Sequence, residues 1–178
     1  MAERMRRIAH RLFEPVDGAS LGQARSALVT VLGVYVALQL FMPLRHLLYP
    51  GNVSWTEEGH RFAWHMKLRD KEAEARFFAS DPGSGRSGEV DPFQYVTDWQ
   101  YDEMAARPDM VVQLAKHIES KAVGEFGIAD LVVKAEVEAS LNGREPEPLI
   151  DPQADLTEIE LSPFRTADWI EPLAEPLP

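Results

Sequence analysis

Apolar residues fall along this chain in three rhythms, and the changes between them mark its organisation. From Ser26 to Leu44, nineteen residues run without a charge, with only Thr30 and Gln39 interrupting. A helix rises about 1.5 Å per residue, so this run nearly matches the roughly 30 Å apolar slab of a bilayer. A buried core helix would carry one polar face. A signal peptide would have a shorter apolar run and a small-x-small cleavage site, which Phe41-Met42-Pro43-Leu44 lacks. The run is therefore read as a single membrane-spanning helix over residues 24–46, between a basic N-terminal arm (1–23) and an exoplasmic α+β domain (47–178). Tyr49 and Trp55, just beyond it, suit an interfacial belt. A helix buried inside a fully soluble protein is the competing reading.

From Trp55 the period drops to two. Phe62, Trp64, Met66 and Leu68 alternate with Arg61, Ala63, His65 and Lys67, which predicts a half-buried strand. Arg69-Asp70-Lys71-Glu72 is read as a turn, and Ala73, Ala75 and Phe77 as its return strand, closing a hairpin. Asp81 to Gly88 is a Gly/Ser/Pro loop, with a short strand over Arg86 to Val90. Asp91-Pro92 opens a helical section. Tyr101, Met104 and Ala105 share one helical face, and Pro108 suits a first helical position, where its missing N–H costs nothing. Val111, Leu114, Ala115, Ile118 and Ala122 then recur at helix spacing up to Gly124 or Gly127. Leu131, Val133, Ala135, Val137, Ala139 and Leu141 alternate with polar residues, the clearest strand in the chain. Asn142-Gly143 marks a type I′ turn. Pro146 and Pro148 make the return strand, Arg144 to Ile150, an edge. Leu156, Ile159 and Leu161 predict one more strand. The Pro-rich tail from Ser162 is expected to drape over the sheet or hang loose. The fold class expected is α+β: one membrane helix, then an antiparallel, β-rich, sandwich-like domain with one or two helices.

Charge divides the chain in the same place. Residues 1–48 hold six arginines and three acids, a net of +3, which leaves −14 for the remainder of a chain whose total is −11. Arg4, Arg6, Arg7, Arg11 and Arg25 favour the cytoplasmic side of a cell membrane, which puts the acidic domain in periplasm or lumen. Strong negative charge argues against nucleic acid as a partner. With no cysteine, disulfides, thiolate metal sites and a thiol nucleophile are excluded.

Candidate chemistry is sparse. Gly83-Ser84-Gly85-Arg86-Ser87-Gly88 matches G-x-G-x-x-G, but Glu89-Val90-Asp91-Pro92 cannot start the phosphate-binding helix in the right place, so a hairpin loop is the better reading. His60 and His65 stand at odd spacing and would point to opposite faces of a strand, which disfavours a zinc site; no metal is expected. No G-x-S-x-G occurs, and Glu136 and Glu138 read as a solvated strand face. Asn52-Val53-Ser54 fits the glycosylation acceptor pattern, a short match that chance produces often.

Several longer pieces carry a resemblance. Pro43-Leu44-Arg45-His46, with Leu48-Tyr49-Pro50-Gly51-Asn52-Val53-Ser54-Trp55-Thr56-Glu57-Glu58-Gly59-His60-Arg61-Phe62-Ala63-Trp64, resembles the segment after the last membrane helix in bacterial-type vitamin K-dependent γ-carboxylases. Their membrane part is called the horizontally transferred transmembrane domain. Pro108-Asp109-Met110, Ser140-Leu141-Asn142-Gly143-Arg144, Leu149-Ile150-Asp151-Pro152, Asp155-Leu156, Ser162-Pro163-Phe164-Arg165 and Asp168-Trp169-Ile170 are similar to later pieces of that family. Leu12 to Leu21 resembles the beginning of its membrane domain, so the chain reads as a member whose multi-helix middle is missing.

The resemblance implies γ-carboxylation of peptide Glu coupled to epoxidation of vitamin K hydroquinone, with oxygen and carbon dioxide as co-substrates. A Lys base and its His partner would lie in membrane helices, yet Ser26 to Leu44 holds neither residue, so no catalytic residue is carried over. The chain is then expected to be incomplete as a catalyst. What is carried over is the outer domain, which implies polypeptide contacts at His60, Arg61, Trp64, His65, Arg144, Arg165 and Trp169. The partners expected are membrane lipid and a polypeptide substrate. A non-catalytic, membrane-anchored binding module stands as the alternative.

Overall fold

The computed structural model describes residues 18–63, 69–128 and 130–174. Two compact units divide the chain, Met1–Met42 and Pro43–Pro178.

In the first unit the uncharged run forms most of helix α1, Gly18–Leu44. It is apolar all round, and Leu28, Val31, Tyr35, Leu38 and Phe41 all stand exposed. A helix this apolar without a polar face is suited to lipid rather than to water. Among the described residues, one helix is long and apolar enough to cross a membrane, spanning Gly22–Leu48 together with the 3-10 turn Arg45–Leu48 that extends it.

The second unit is built on one antiparallel sheet. Its strands are β1 (Lys71–Asp81), β2 (Arg86–Val90), β3 (Val132–Leu141) and β4 (Glu147–Pro148), in the order β2-β1-β3-β4. Period-two patterning sets the register: Ala75 pairs with Val137 and Phe77 with Ala135, so apolar residues of both central strands share one face. Helices α3 (Asp98–Ala105) and α4 (Pro108–Phe126) supply the covering layer in place of a second sheet. Met104 and Ala105 from α3, and Val111, Leu114, Ala115 and Ile118 from α4, pack with the inward residues of β1 and β3 in one core. Thr97 and Gln100 form a capping box at the start of α3. Gly127, at φ 66°, ends α4 in the left-handed conformation that costs glycine little.

β2 pairs with only the second half of β1, Phe77 to Asp81. Above that point the free edge of β1 is closed by a side chain. The Tyr101 hydroxyl accepts from Ala75 N at 2.8 Å and donates to Ala75 O at 3.1 Å.

Several expectations need correction. The predicted hairpin partner of β1 is replaced: β1 pairs with β2 and β3, and it already begins at Lys71, inside the expected turn. Of the strand expected over Arg61 to Leu68, residues 64–68, with Trp64 and His65, lie outside the described residues; residues 61–63 form a turn closed by Ala63 N donating to His60 O at 2.9 Å. The return strand after Asn142-Gly143 shrinks to Glu147–Pro148 because Pro146 and Pro148 have no N–H to give a ladder. No strand forms over Leu156 to Leu161. Asp155 Oδ1 accepts from Thr157 N and Thr157 Oγ1, and these local bonds fold the backbone into turns while Leu156 alone is driven into the core. The tail does drape: Ile170 bridges Ile150, and Glu171 N donates to Leu149 O at 3.0 Å.

Candidate functional site

Four stretches converge on a cleft of about 670 Å³ in the second unit: the 3-10 turn with Tyr49, the segment Thr56 to Arg61, the start of α4, and the loop Glu158 to Ile170. The short helix α2 (Val53–Thr56) sets up the second of these. Asn52 caps it, its Oδ1 accepting from Ser54 N at 2.8 Å, so this asparagine of the glycosylation pattern already serves the fold. Trp55 plugs the core, and its indole N–H reaches Glu171 O at 2.8 Å, tying the tail to α2.

After α2 the backbone turns sharply. Glu57 sits at φ 63° and Gly59 at φ 67°. A Cβ on Gly59 would stand 2.7 Å from His46 Cα, so glycine is required for the two loops to touch. Tyr49 OH donates to Pro163 O, and Glu58 Oε1 accepts from Ala167 N at 2.8 Å, which fastens the late loop across the mouth. Burial raises the Glu58 carboxyl above its ordinary range, and the Ala167 N–H partly offsets that.

Charge in the cleft is of both signs. Arg61 is engaged by Asp109 at the start of α4. Glu158, Glu160, Asp168 and Arg165 are exposed along the lining. The Arg45 Nε is buried and has no hydrogen-bond partner among the described residues. A buried donor without an acceptor costs roughly 1–3 kcal/mol, more when charged.

Behind this wall lies a buried ionic cluster. Glu57 Oε1 is 2.5 Å from Arg69 Nη1 and 3.9 Å from Lys71 Nζ, and the Lys71 side chain is only 3% exposed. Lys71 donates to Trp55 O at 2.6 Å and lies 5.2 Å from the centre of the Trp55 ring. Burial pulls the Lys71 ammonium down to about 7, against the attraction of Glu57. The same burial raises Glu57, against Lys71 and Arg69.

Of the seven residues picked from sequence, Arg61, Arg165 and Trp169 line the cleft. His60 is half-buried between two of the lining residues. Arg144 follows the β3–β4 turn and does not line the cleft, while Trp64 and His65 lie outside the described residues. Sequence reasoning missed Arg45, Glu58 and the Glu57–Arg69–Lys71 cluster. For Lys71 a signal was present: it has the same parity as Ala73, Ala75 and Phe77, so it is a charge in phase with the buried face.

The architecture defines an α+β outer domain that follows an apolar helix of membrane-spanning length. Residues 24–176 match the family described as the vitamin K-dependent gamma-carboxylase, lumenal domain, and the chain belongs to that family. No solved structure matches it. Family and helix together make it a membrane protein with an exoplasmic domain.

Vitamin K hydroquinone finds no fitting site among the described residues. Its oxidation generates a strongly basic species that needs a dry enclosure. The cleft is open and edged by carboxylates, and among the described residues no lysine lines it. The buried Lys71 is held by Trp55 O and Glu57 behind the wall. Nor does α1 offer a Lys or His along Ser26 to Leu44.

Proposed function

We propose that this chain serves γ-glutamyl carboxylation as the exoplasmic part that holds the polypeptide, while the quinone chemistry and its lysine base belong to membrane helices beyond these 178 residues. By itself the chain is inactive as a carboxylase. Support comes from the family match and from one structural observation: the cleft gathers Arg45, Arg61, Arg165 and Trp169. Guanidinium groups suit carboxylates because their N–H donors match two oxygens at once. An indole edge beside them suits an apolar neighbour along the peptide. The acidic rim repels a uniformly acidic ligand, so the segment taken is one with isolated carboxylates.

The test uses the full chain in lipid nanodiscs and a fluorescent peptide bearing one Glu between apolar residues. Saturable binding is expected, with affinity falling at least about fivefold in R45A, a loss of about 1 kcal/mol, and falling likewise in R165E. Equal binding by both variants and the parent would refute the cleft assignment. In parallel, the chain alone, given reduced vitamin K and labelled carbon dioxide, should fix no label. Incorporation above an empty-membrane blank would refute the view that the reactive chamber lies elsewhere.

The competing reading is a binding module unrelated to carboxylation. It would bind peptides equally well when their Glu is replaced by Gln, whereas the reading favoured here requires the carboxylate.

A further inference from the structure

Three loops of the second unit each push a large apolar side chain into solvent. The 3-10 turn presents Leu47 and Leu48, the segment after Gly59 presents Phe62, and the late loop presents Phe164. Leu47, Phe62 and Phe164 are 70%, 72% and 73% exposed, among the most exposed apolar residues of the chain. Distant in sequence, they are stitched together in space. Gly59 touches His46, Tyr49 OH donates to Pro163 O, and the residues flanking the tips, namely Arg45, Tyr49, Arg61, Pro163 and Arg165, all line one cleft.

Phe62 carries a second signal. Its backbone sits at φ 68°. A bulky residue in the left-handed region is strained, and such strain persists only where the surroundings impose it. Here the strained conformation displays an aromatic ring to solvent instead of burying it.

We infer that these three tips form a membrane-docking surface, and that Leu47, Leu48, Phe62 and Phe164 insert into the outer leaflet of the bilayer. Two observations select lipid over other occupants. First, Leu47 and Leu48 follow the apolar run within a few residues of sequence, so the chain itself holds this tip near the bilayer that α1 enters. Second, each apolar tip has an arginine close by in sequence: Arg45 before Leu47, Arg61 before Phe62, Arg165 after Phe164. Apolar side chains rimmed by long cations whose stems can lie along the acyl boundary are the composition of interfacial segments. The inference rests on the membrane anchoring by α1 and not on carboxylation.

The chain has no cysteine, so single-cysteine labelling is clean. Full-length L47C, F62C, F164C, V34C and S84C variants, each carrying an environment-sensitive fluorophore, are reconstituted in vesicles of phosphatidylcholine and phosphatidylglycerol. Quenching by acyl-chain nitroxides is compared with quenching by aqueous iodide. V34C, within α1, reports on the anchor; S84C, in the exposed β1–β2 loop, is the aqueous control. Lipid quenching of F62C and F164C at least severalfold above S84C, with protection from iodide, is expected. Lipid quenching at V34C and L47C alone overturns the docking surface and leaves the anchor standing. Protection from both quenchers at F62C and F164C overturns it too, because protein then covers the tips. Failure at V34C overturns anchor and docking surface together.

Discussion

Lys71→Met tests whether the buried ionic cluster sets the pH response of the outer domain. The Lys71 ammonium is taken out of water between Trp55 O and Glu57, and its pKa falls from the ordinary 10.5 to about 7. Between those two values the unfolded chain binds a proton that the folded chain does not, so stability rises with pH. The contribution is complete above the unfolded value and is lost as pH falls through about 7. One proton of difference is worth about 1.36 kcal/mol per pH unit. Lys71 is half-titrated near 7, so the gain between pH 7 and pH 9 comes to about 2 kcal/mol. In a domain of this size that is roughly 8 °C in Tm.

Methionine keeps most of the apolar stem but removes the ammonium, its bond to Trp55 O and the titration, and Arg69 remains against Glu57. Burial displaces Glu57 in the other sense: its raised pKa favours the folded state at low pH, and that benefit is lost as pH rises. The difference between parent and variant reads the lysine together with the change its removal makes at Glu57. Thermal unfolding of both full-length proteins in mild detergent, followed by tryptophan fluorescence at pH 7, 8 and 9, reads it. The parent should gain about 2 kcal/mol relative to K71M across the window. Equal pH slopes in the two proteins would refute the assignment, because the ammonium would then be as well solvated folded as unfolded.

Three further outcomes follow from single contacts. Gly59→Ala should cost roughly 2–4 kcal/mol, from a strained positive φ and a Cβ forced against His46 backbone, seen as a lowered denaturation midpoint. Tyr101→Phe keeps the ring in place but exposes Ala75 N–H and C=O on the edge of β1, so a loss of about 1–2 kcal/mol, with faster exchange of the Ala75 amide, is expected. Asn52→Ala should lose about 1 kcal/mol of cap stabilisation while Asn52→Asp loses almost none, a contrast that thermal melts resolve.

Much of the fold was legible because periodicity survives packing. The uncharged run, the α4 face, the β3 alternation and the Asn142-Gly143 turn each follow from local geometry, and each stands where it was read. The partner of β1 was not legible: a strand declares which face is buried but not which neighbour takes its hydrogen bonds. Leu156 to Leu161 misled for a related reason, since three apolar residues in six resemble a strand until Asp155 accepts from Thr157 N and turns the backbone.

The candidate site was half visible. Arg61, Arg165 and Trp169 were chosen from a family resemblance, and their meeting at one cleft is a tertiary fact. Arg45, Glu58 and Lys71 carry no local mark of function, apart from the parity of Lys71, because burial of a charge is created by what folds over it. Composition and period determined that this chain carries an apolar segment of spanning length ahead of an acidic α+β domain, since both depend on neighbours a few residues apart. Only the folded backbone decided which charges lose their water and which apolar tips remain exposed, since those depend on contacts between separate segments, such as Lys71 with Trp55 and Tyr49 with Pro163.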